Sequence, residues 1–315
     1  VAIGIRECAI VSFKFCTNES AAAHLRAVLH GEAAPIRGIS SFPNSSEDTI
    51  SYLAGVSDAQ LQRPPGGSTV IARKEMASVL LAAGYSVIQA DYPKHALARI
   101  FQDLLEVQAQ PAVHPSAVIG PDVMIGEGVS IGPGSVLDGE IALGNHVRIG
   151  ANNVITGKVV VEEFVRIRNG CVIGEDAYSF GFAPDGPGHG QSIRFPSRGR
   201  VVIESHAEIG NNCVISRGIE ADTVLRTWSR VNDLAHIGNT VELGRNSMVM
   251  ANCDISARVR IGEGCWIAQS SVIVQGISVG DGAQVGMGAV VMRDVPAGKV
   301  VTGVPARVHR DRLLG

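Results

Sequence analysis

The sequence predicts a mainly β chain: a parallel β-solenoid preceded by a small α/β domain. Three observations carry the prediction. From Leu225 to Val291 an aliphatic residue stands at every sixth position without a miss, and a second run from Val113 to Ile173 keeps the same spacing. Residues 1–110 have no such period. A period of six fits no single helix or strand. It fits coils of three hexapeptides, each a short strand and a turn, whose like positions stack into one continuous core.

The cysteines support that register. Side chains alternate across a strand, so the residue two before an inward aliphatic also points inward. Cys171, Cys213, Cys253 and Cys265 all fall two before an isoleucine (Ile173, Ile215, Ile255 and Ile267). Four stacked inward slots make them small core hydrophobes. None has the clustered spacing of a zinc site, and no metal is expected.

Composition narrows the class. With 315 residues and 45% hydrophobic content the chain is long enough for two domains and a large core. Aromatics are only 4% while glycine numbers 37, which suits a thin solenoid with tight turns. A net charge of -3 without a basic run argues against nucleic acid as a partner. No stretch reaches the ~18 apolar residues that a membrane span requires. The start lacks the basic region and cleavage site of a secretory leader. Six cysteines, four of them read as buried and unpaired, fit a reducing, cytoplasmic setting.

In chain order, alternation over Ile5–Phe15 predicts a strand, and Asn18 or Thr17 caps a helix over Ala21–Leu29 that Gly31 follows. Short strands are predicted over Ile36–Ser41 and Thr49–Leu53, around a turn at Pro43–Ser46. A loop over Gln62–Ser68 follows. Val70–Ala72 and Ser86–Ala90 read as strands flanking a helix Lys74–Ala83, and Lys94–Leu105 as a closing helix. The segment Glu106–Pro115, with Pro111 and Pro115, marks the boundary. The expected domains are therefore 1–110, a solenoid over 111–295, and a tail over 296–315 that leaves the repeat.

Two interruptions break the solenoid. Residues 175–200 are too rich in glycine, proline and aromatics for a repeat, and between Ile215 and Leu225 ten residues stand where six are expected, a bulge near Gly218–Asp222. Loops leaving a solenoid are natural places for a site, because the stacked coils hold them rigidly.

The hexapeptide coils, the loop Phe180-Gly181-Phe182-Ala183-Pro184-Asp185-Gly186, the stretch Gly199–Ile203 and the ending Gly303–Arg310 together resemble the UDP-3-O-acylglucosamine N-acyltransferases of lipid A (lipopolysaccharide) biosynthesis. Ile36–Ser41 and Ser51–Leu53 are similar to that family's uridine-binding domain. The resemblance implies a left-handed parallel β-helix and a cytoplasmic homotrimer with active sites between subunits. It implies a nucleotide-linked amino sugar as substrate and no bound cofactor. The co-substrate is then an acyl-carrier-protein phosphopantetheine thioester, or acetyl-CoA.

The family's active-site stretch falls on Asn232–Thr240. Its general-base histidine falls on Asn239, a departure, because an amide cannot take a proton near neutral pH. His236, three residues earlier and at an outward position, is the nearby candidate as base, as substrate-orienting hydrogen bonder, or as a surface residue. The family's oxyanion donor, a backbone N–H, maps to Ala257. Asp233 either holds a substrate ammonium, orients His236, or caps a turn. Phe180, Phe182 and Arg194 match the family's substrate loop, or else cover the solenoid's flank. Tyr52 matches the aromatic that stacks on uracil, whereas the family's next two uridine contacts fall on Gly55 and Asp58. His189, Arg198 and Arg200 suit a phosphate but read by default as solvated loop residues, and His114, His146 and His206 as surface residues.

The sequence leaves three functions open. The first is N-acyl transfer from a carrier-protein thioester to a nucleotide-linked amino sugar. The second is acetyl-CoA-dependent N-acetylation of such a sugar. The third is a non-catalytic paralogue that binds sugar nucleotide or carrier protein.

Overall fold

The computed structural model describes residues 16–42, 45–53, 67–105, 111–182 and 191–311. The strand expected over Ile5–Phe15, the turn residues Pro43 and Asn44, Gly55, Asp58, most of the loop from Gln62 and His189 lie outside the described residues. The chain divides into two compact units, Val1–Gln110 and Pro111–Gly315.

The first unit is built on a five-stranded sheet in the order Val28–His30, Ser86–Gln89, Thr69–Ala72, Thr49–Tyr52, Gly38–Ile39. Only the first of these pairings is antiparallel. The helix Lys74–Ala82 connects two parallel neighbours, and Pro93–Ile100 runs into a wider final turn over Phe101–Leu105. Thr17 caps the first helix: its hydroxyl accepts the Ser20 N–H while Ser20 returns the bond to the Thr17 N–H. Asn18 is buried and ties strands together, accepting from the Ala34 N–H at 2.9 Å and donating to the Glu32 carbonyl at 3.0 Å.

That helix covers Asn18–Leu25, not Ala21–Leu29. Arg26 turns left-handed and donates back to the Ala22 and Ala23 carbonyls, and Val28–His30 then pairs with Val87–Gln89. Sheet pairing outweighs the helical preference of the last residues.

The second unit is the solenoid. Most strands are two residues long, and each pairs in parallel with its equivalent one coil away, as in Ile237 with Ile255, Leu243 with Ile261 and Val249 with Ile267. Side chains at these positions are fully buried or nearly so. Neither interruption disturbs the register. Ile167 pairs with Ile209 and Ile173 with Ile215 across the insertion, and Ile203 pairs with Leu225 across the bulge. The insertions leave the coil and return to the same rung.

Cys171, Cys213, Cys253 and Cys265 all lie in the core, at most 2% exposed. Each thiol hydrogen-bonds a backbone carbonyl; Cys171 Sγ reaches the Gly210 oxygen at 2.9 Å. Cys213 has the Cys171 sulfur beside it, and that contact together with burial pushes its thiol pKa well up. No described group of three or more His, Cys, Asp or Glu side chains is arranged to hold a metal ion.

The end of the chain differs from a simple tail. Lys299–Thr302 adds a rung to the solenoid, pairing with Gln284 and Val285 and burying Val301, and Arg307–Asp311 folds back antiparallel on it. Val300 and Val301 find an open sheet edge, and pairing it satisfies backbone groups that would otherwise be left bare.

Stability should follow the stacked core. Leu243→Ala, at a position with no exposed surface, should cost about 2–5 kcal/mol, read as a lowered urea midpoint with the far-ultraviolet spectrum retained.

Candidate active site

One face of the solenoid carries, at its outward position, Val118, Val136, Val154, Val172, Val214, His236, Asp254, Val272 and Val290 in successive rungs. Seven valines are interrupted by one imidazole and one carboxylate. Parallel pairing sets His236 directly beside Asp254, and His236 Nδ1 lies 2.8 Å from Asp254 Oδ1. Both side chains are about half exposed, at 49% and 51%. An ionised carboxylate only accepts, so the proton between them belongs to Nδ1 and the free lone pair of the neutral ring lies on Nε2.

The turn after these strands is tight for a local reason. A Cβ added to Gly238 would stand 2.9 Å from the Ala257 nitrogen and 3.0 Å from the Ile255 oxygen. Glycine lets the two coils close at this corner. Elsewhere on the solenoid the equivalent N–H is capped by a side chain of the next coil: Asn169 caps Ala151, Asn211 caps Asn169, and Asp233 caps Asn211. Asn239 is followed one coil on by Ala257, and Ala257 by Gln275. Among the described residues the N–H groups of Asn239 and Ala257 have no such cap. The corner beside His236 therefore presents two backbone donors.

The two interruptions form one structure next to this corner. Arg198 and Gly199 donate their N–H groups to the carbonyls of Ile219 and Gly218, and Arg217 donates its own to Glu175. The Arg217 guanidinium pairs with Asp176. Arg200 clamps Asp222 through its backbone N–H at 2.8 Å and through Nε and Nη2. The bulge in turn leans on the site: Thr223 Oγ1 accepts the Thr240 N–H at 2.8 Å, and Thr240 adjoins Asn239. A continuous set of bonds thus runs from the insertion to the His236 corner.

The insertion carries a two-stranded hairpin, Phe180–Phe182 with Ser192–Arg194. The Arg194 guanidinium lies over the Phe180 ring at 4.9 Å, and Tyr178 packs edge-on against the same ring. Phe182 is 63% exposed. Asp233 caps the Asn211 turn, its Oδ1 accepting from both the backbone N–H and the side-chain amide. The carboxylate beside His236 is that of Asp254. Tyr52, in the other unit, packs partly buried against the sheet core of Ile36 and Ile50. Arg200 is bound to Asp222, and Arg198 joins the bulge through its backbone. His146 and His206 are not isolated: they stack on Phe164 in one column of rings.

Sequence reasoning missed Asp254, although its spacing of eighteen residues from His236 places it one coil away. A groove elsewhere on the solenoid is lined by Glu204, Arg226, Glu242, Arg260 and Asp281. Arg226 is held there between Glu204 and Glu242.

Residues 107–139 match the family described as "Bacterial transferase hexapeptide (six repeats)", and residues 258–293 the "Hexapeptide repeat of succinyl-transferase". The UDP-3-O-acylglucosamine N-acyltransferase of Caulobacter sp. (strain K31) is 32% identical over 141 residues, 45% of this chain and 40% of the relative. The enzyme of the same name from Cupriavidus pinatubonensis is 42% identical over 166 residues, 50% of this chain and 45% of the relative. The chain is a hexapeptide-repeat protein related to these N-acyltransferases.

The matches span less than half the length of these curated relatives. Among solved structures, the UDP-N-acetylglucosamine O-acyltransferase of Moraxella catarrhalis aligns with TM-score 0.57 at 22% identity, over 62% of this chain and 73% of that one. That of Francisella novicida aligns with TM-score 0.55 at 20% identity, over 63% and 69%. With these neighbours the solenoid is a left-handed parallel β-helix. The hexapeptide-repeat chain therefore departs from the right-handed crossover that general strand twist favours.

The clamp between insertion and bulge gives a pH prediction. Hydrogen bonds from the Arg200 guanidinium, with its charge, hold the Asp222 carboxyl below its ordinary range. A depressed folded pKa contributes stability above the unfolded value of about 3.9, lost as pH falls through the folded one. Amide protection over residues 191–200, corrected for intrinsic exchange, should therefore fall below about pH 4. Asp222→Asn should show the lower protection already at pH 7, without the acid step.

Proposed function

We propose that this chain is an N-acyltransferase that moves an acyl group from a phosphopantetheine thioester to the amine of a nucleotide-linked amino sugar. The transfer is most like that of the UDP-3-O-(3-hydroxyacyl)glucosamine N-acyltransferases. The observation that carries the reading is the His236–Asp254 pair, a fixed imidazole set in an exposed lane of valine. Sequence relationship to enzymes of that name supports it.

Amide formation needs a neutral amine, a base for its proton and donors for the developing oxyanion. Asp254 holds Nδ1–H, so Nε2 of His236 is the base. The amine nitrogen attacks the thioester carbon as its proton passes to Nε2, and charge builds on the former carbonyl oxygen. The uncapped N–H groups of Ala257 and Asn239 are the oxyanion donors of this reading, so Asn239 serves through its backbone. Collapse breaks the carbon–sulfur bond, and the imidazolium returns the proton to the leaving thiolate. The valines above and below the pair offer an apolar lane for an acyl chain or pantetheine arm. In this reading Phe180, Phe182 and Arg194, on a hairpin tied to the bulge, contact the sugar nucleotide, and Tyr52 of the first unit is the candidate uracil contact. The full reading includes a cytoplasmic homotrimer supplied by an acyl carrier protein.

The test is a mass-spectrometric product assay with UDP-linked 3-O-acylglucosamine and 3-hydroxyacyl carrier protein. His236→Ala should lower the turnover rate by about 10²–10⁴-fold with sugar-nucleotide binding retained. Asp254→Asn should lower the rate less, through loss of the fixed tautomer. Product only with acetyl-CoA would move the chain to the acetylating class. Full rate in His236→Ala would remove the base from the mechanism.

A further inference from the structure

The extra residues between Ile215 and Leu225 lengthen one coil at one corner. Ile203 still pairs with Leu225, and at the next corner of the same coil Trp228 stacks on His206 with ring centroids 4.2 Å apart, so that side keeps its regular step. The excess falls on the corner that adjoins Asn239.

In the regular coils this corner closes through the backbone. Arg258 donates its N–H to the Asn239 carbonyl, and Gly276 donates to the Ala257 carbonyl, each at 2.9 Å. Thr240 stands eighteen residues before Arg258, at the same place in the turn, and the three share a left-handed backbone with φ of 59°, 58° and 75°. The coil before Thr240 is the lengthened one, and there the N–H meets no carbonyl. It donates instead to the Thr223 hydroxyl at 2.8 Å. That hydroxyl donates its own proton to the Ser216 carbonyl at 2.8 Å, and the Ser216 N–H donates to the Ile237 carbonyl at 3.0 Å. Thr223 is fully buried. A side chain thus stands where the lengthened coil withdrew a backbone acceptor.

The consequence falls on Asn239. The peptide joining it to Thr240 is held at both ends, its carbonyl by Arg258 and its N–H by Thr223. On the other side the Gly238 N–H donates to the Ile255 carbonyl at 2.8 Å. Between them the planar peptide of Gly238 and Asn239 presents the Asn239 N–H, which has no acceptor among the described residues. Its direction follows from its two bonded neighbours. The Thr223 N–H also donates to the Arg200 carbonyl at 2.9 Å, so the same residue ties the hairpin's insertion to this turn. We infer that Thr223 is a positioning residue: its buried hydroxyl sets the direction of the Asn239 N–H as oxyanion donor and fastens the lengthened coil to that donor. This role rests on the transfer reaction proposed for the His236 corner. A donor stabilises developing charge when it is aimed beforehand. A misdirected one lowers rate and leaves substrate binding alone.

The test is steady-state kinetics of the intact chain with UDP-linked 3-O-acylglucosamine and 3-hydroxyacyl carrier protein, comparing wild type, Thr223→Val and Thr223→Ser. Valine keeps the shape and loses both bonds, whereas serine keeps the hydroxyl. Thr223→Val should lower kcat about 10–100-fold with KM for the sugar nucleotide unchanged, and Thr223→Ser should recover most of the rate. Protection of the Thr240 amide against exchange should drop in the valine variant alone. The pH at which kcat/KM falls on the acid side, set by His236 in that mechanism, should be the same in all three. A role confined to stability would lower the unfolding midpoint and leave kcat of the folded protein unchanged. Circular dichroism melts set the assay temperature below each transition, and Thr223→Ala takes the place of the valine variant if that one does not fold. A folded Thr223→Val with wild-type kcat, a loss carried by KM, or a loss that serine does not repair would overturn the inference and leave the transfer reaction standing. No product from the wild type would overturn the transfer reaction, and this role with it.

Discussion

A two-residue strand has no stability of its own, so everything in the solenoid depends on the parallel backbone ladder between equivalent positions of adjacent coils. The ladder makes each coil the template for the next. It places aliphatic on aliphatic through the core, as with Ile237 on Ile255 and Ile255 on Ile273. The same constraint acts on every outward residue, whose neighbour is set one coil away and not along the chain. His236 meets Asp254 for the reason that Ile237 meets Ile255. A fixed pair of side chains costs this fold almost no special architecture, because register supplies the alignment that packing must supply elsewhere.

The corners obey a second constraint. Many turns place a residue in the left-handed region, and several of these are not glycine: His146, Phe164, His206, Trp228, Leu234 and Thr240 among them. Such residues carry a backbone cost of about 1–3 kcal/mol each. The coil fixes that geometry, and stacking returns part of the cost where rings coincide. Thr240 shows another return: its backbone N–H and hydroxyl are bonded to Thr223 and Ile219 of the bulge. The strained corner is where the bulge is fastened.

Much of this was legible in the chain before any coordinates. The six-residue period gave the solenoid, the inward slots placed the four cysteines, and breaks in the period marked two departures from the regular coil. Thr17 was visible as one of two possible caps. What stayed hidden was relation between coils. Asp254 lies outside the motif around His236, so local reading passed over it, although a spacing of eighteen residues is one full coil. The ring column was harder still. His146 and Phe164 are one regular coil apart, but the insertion separates Phe164 from His206 and the bulge separates His206 from Trp228, so no constant spacing links the four. Linear distance fails as a guide wherever a coil has been lengthened without losing its rung. The helix end at Leu25 was hidden for a different reason: strand pairing of Val28–His30 overrides a local preference.

The interruptions also explain how an uninterrupted scaffold acquires a site. A regular coil offers the same shallow surface at every level, and nothing in it distinguishes the His236 rung from those above and below except the side chains present. The bulge and the insertion break that equivalence on one side. They are joined to each other through Arg217 with Asp176 and Arg200 with Asp222, and to the corner through Thr223 with Thr240. The hairpin bearing Phe180 and Arg194 therefore inherits its position from the same coils that hold the imidazole. A residue in the turn must serve the corner, whereas a residue on the strand has its partner fixed by register. In the proposed reading the base is His236, a strand residue, and the same register that pairs Ile237 with Ile255 lets Asp254 hold it.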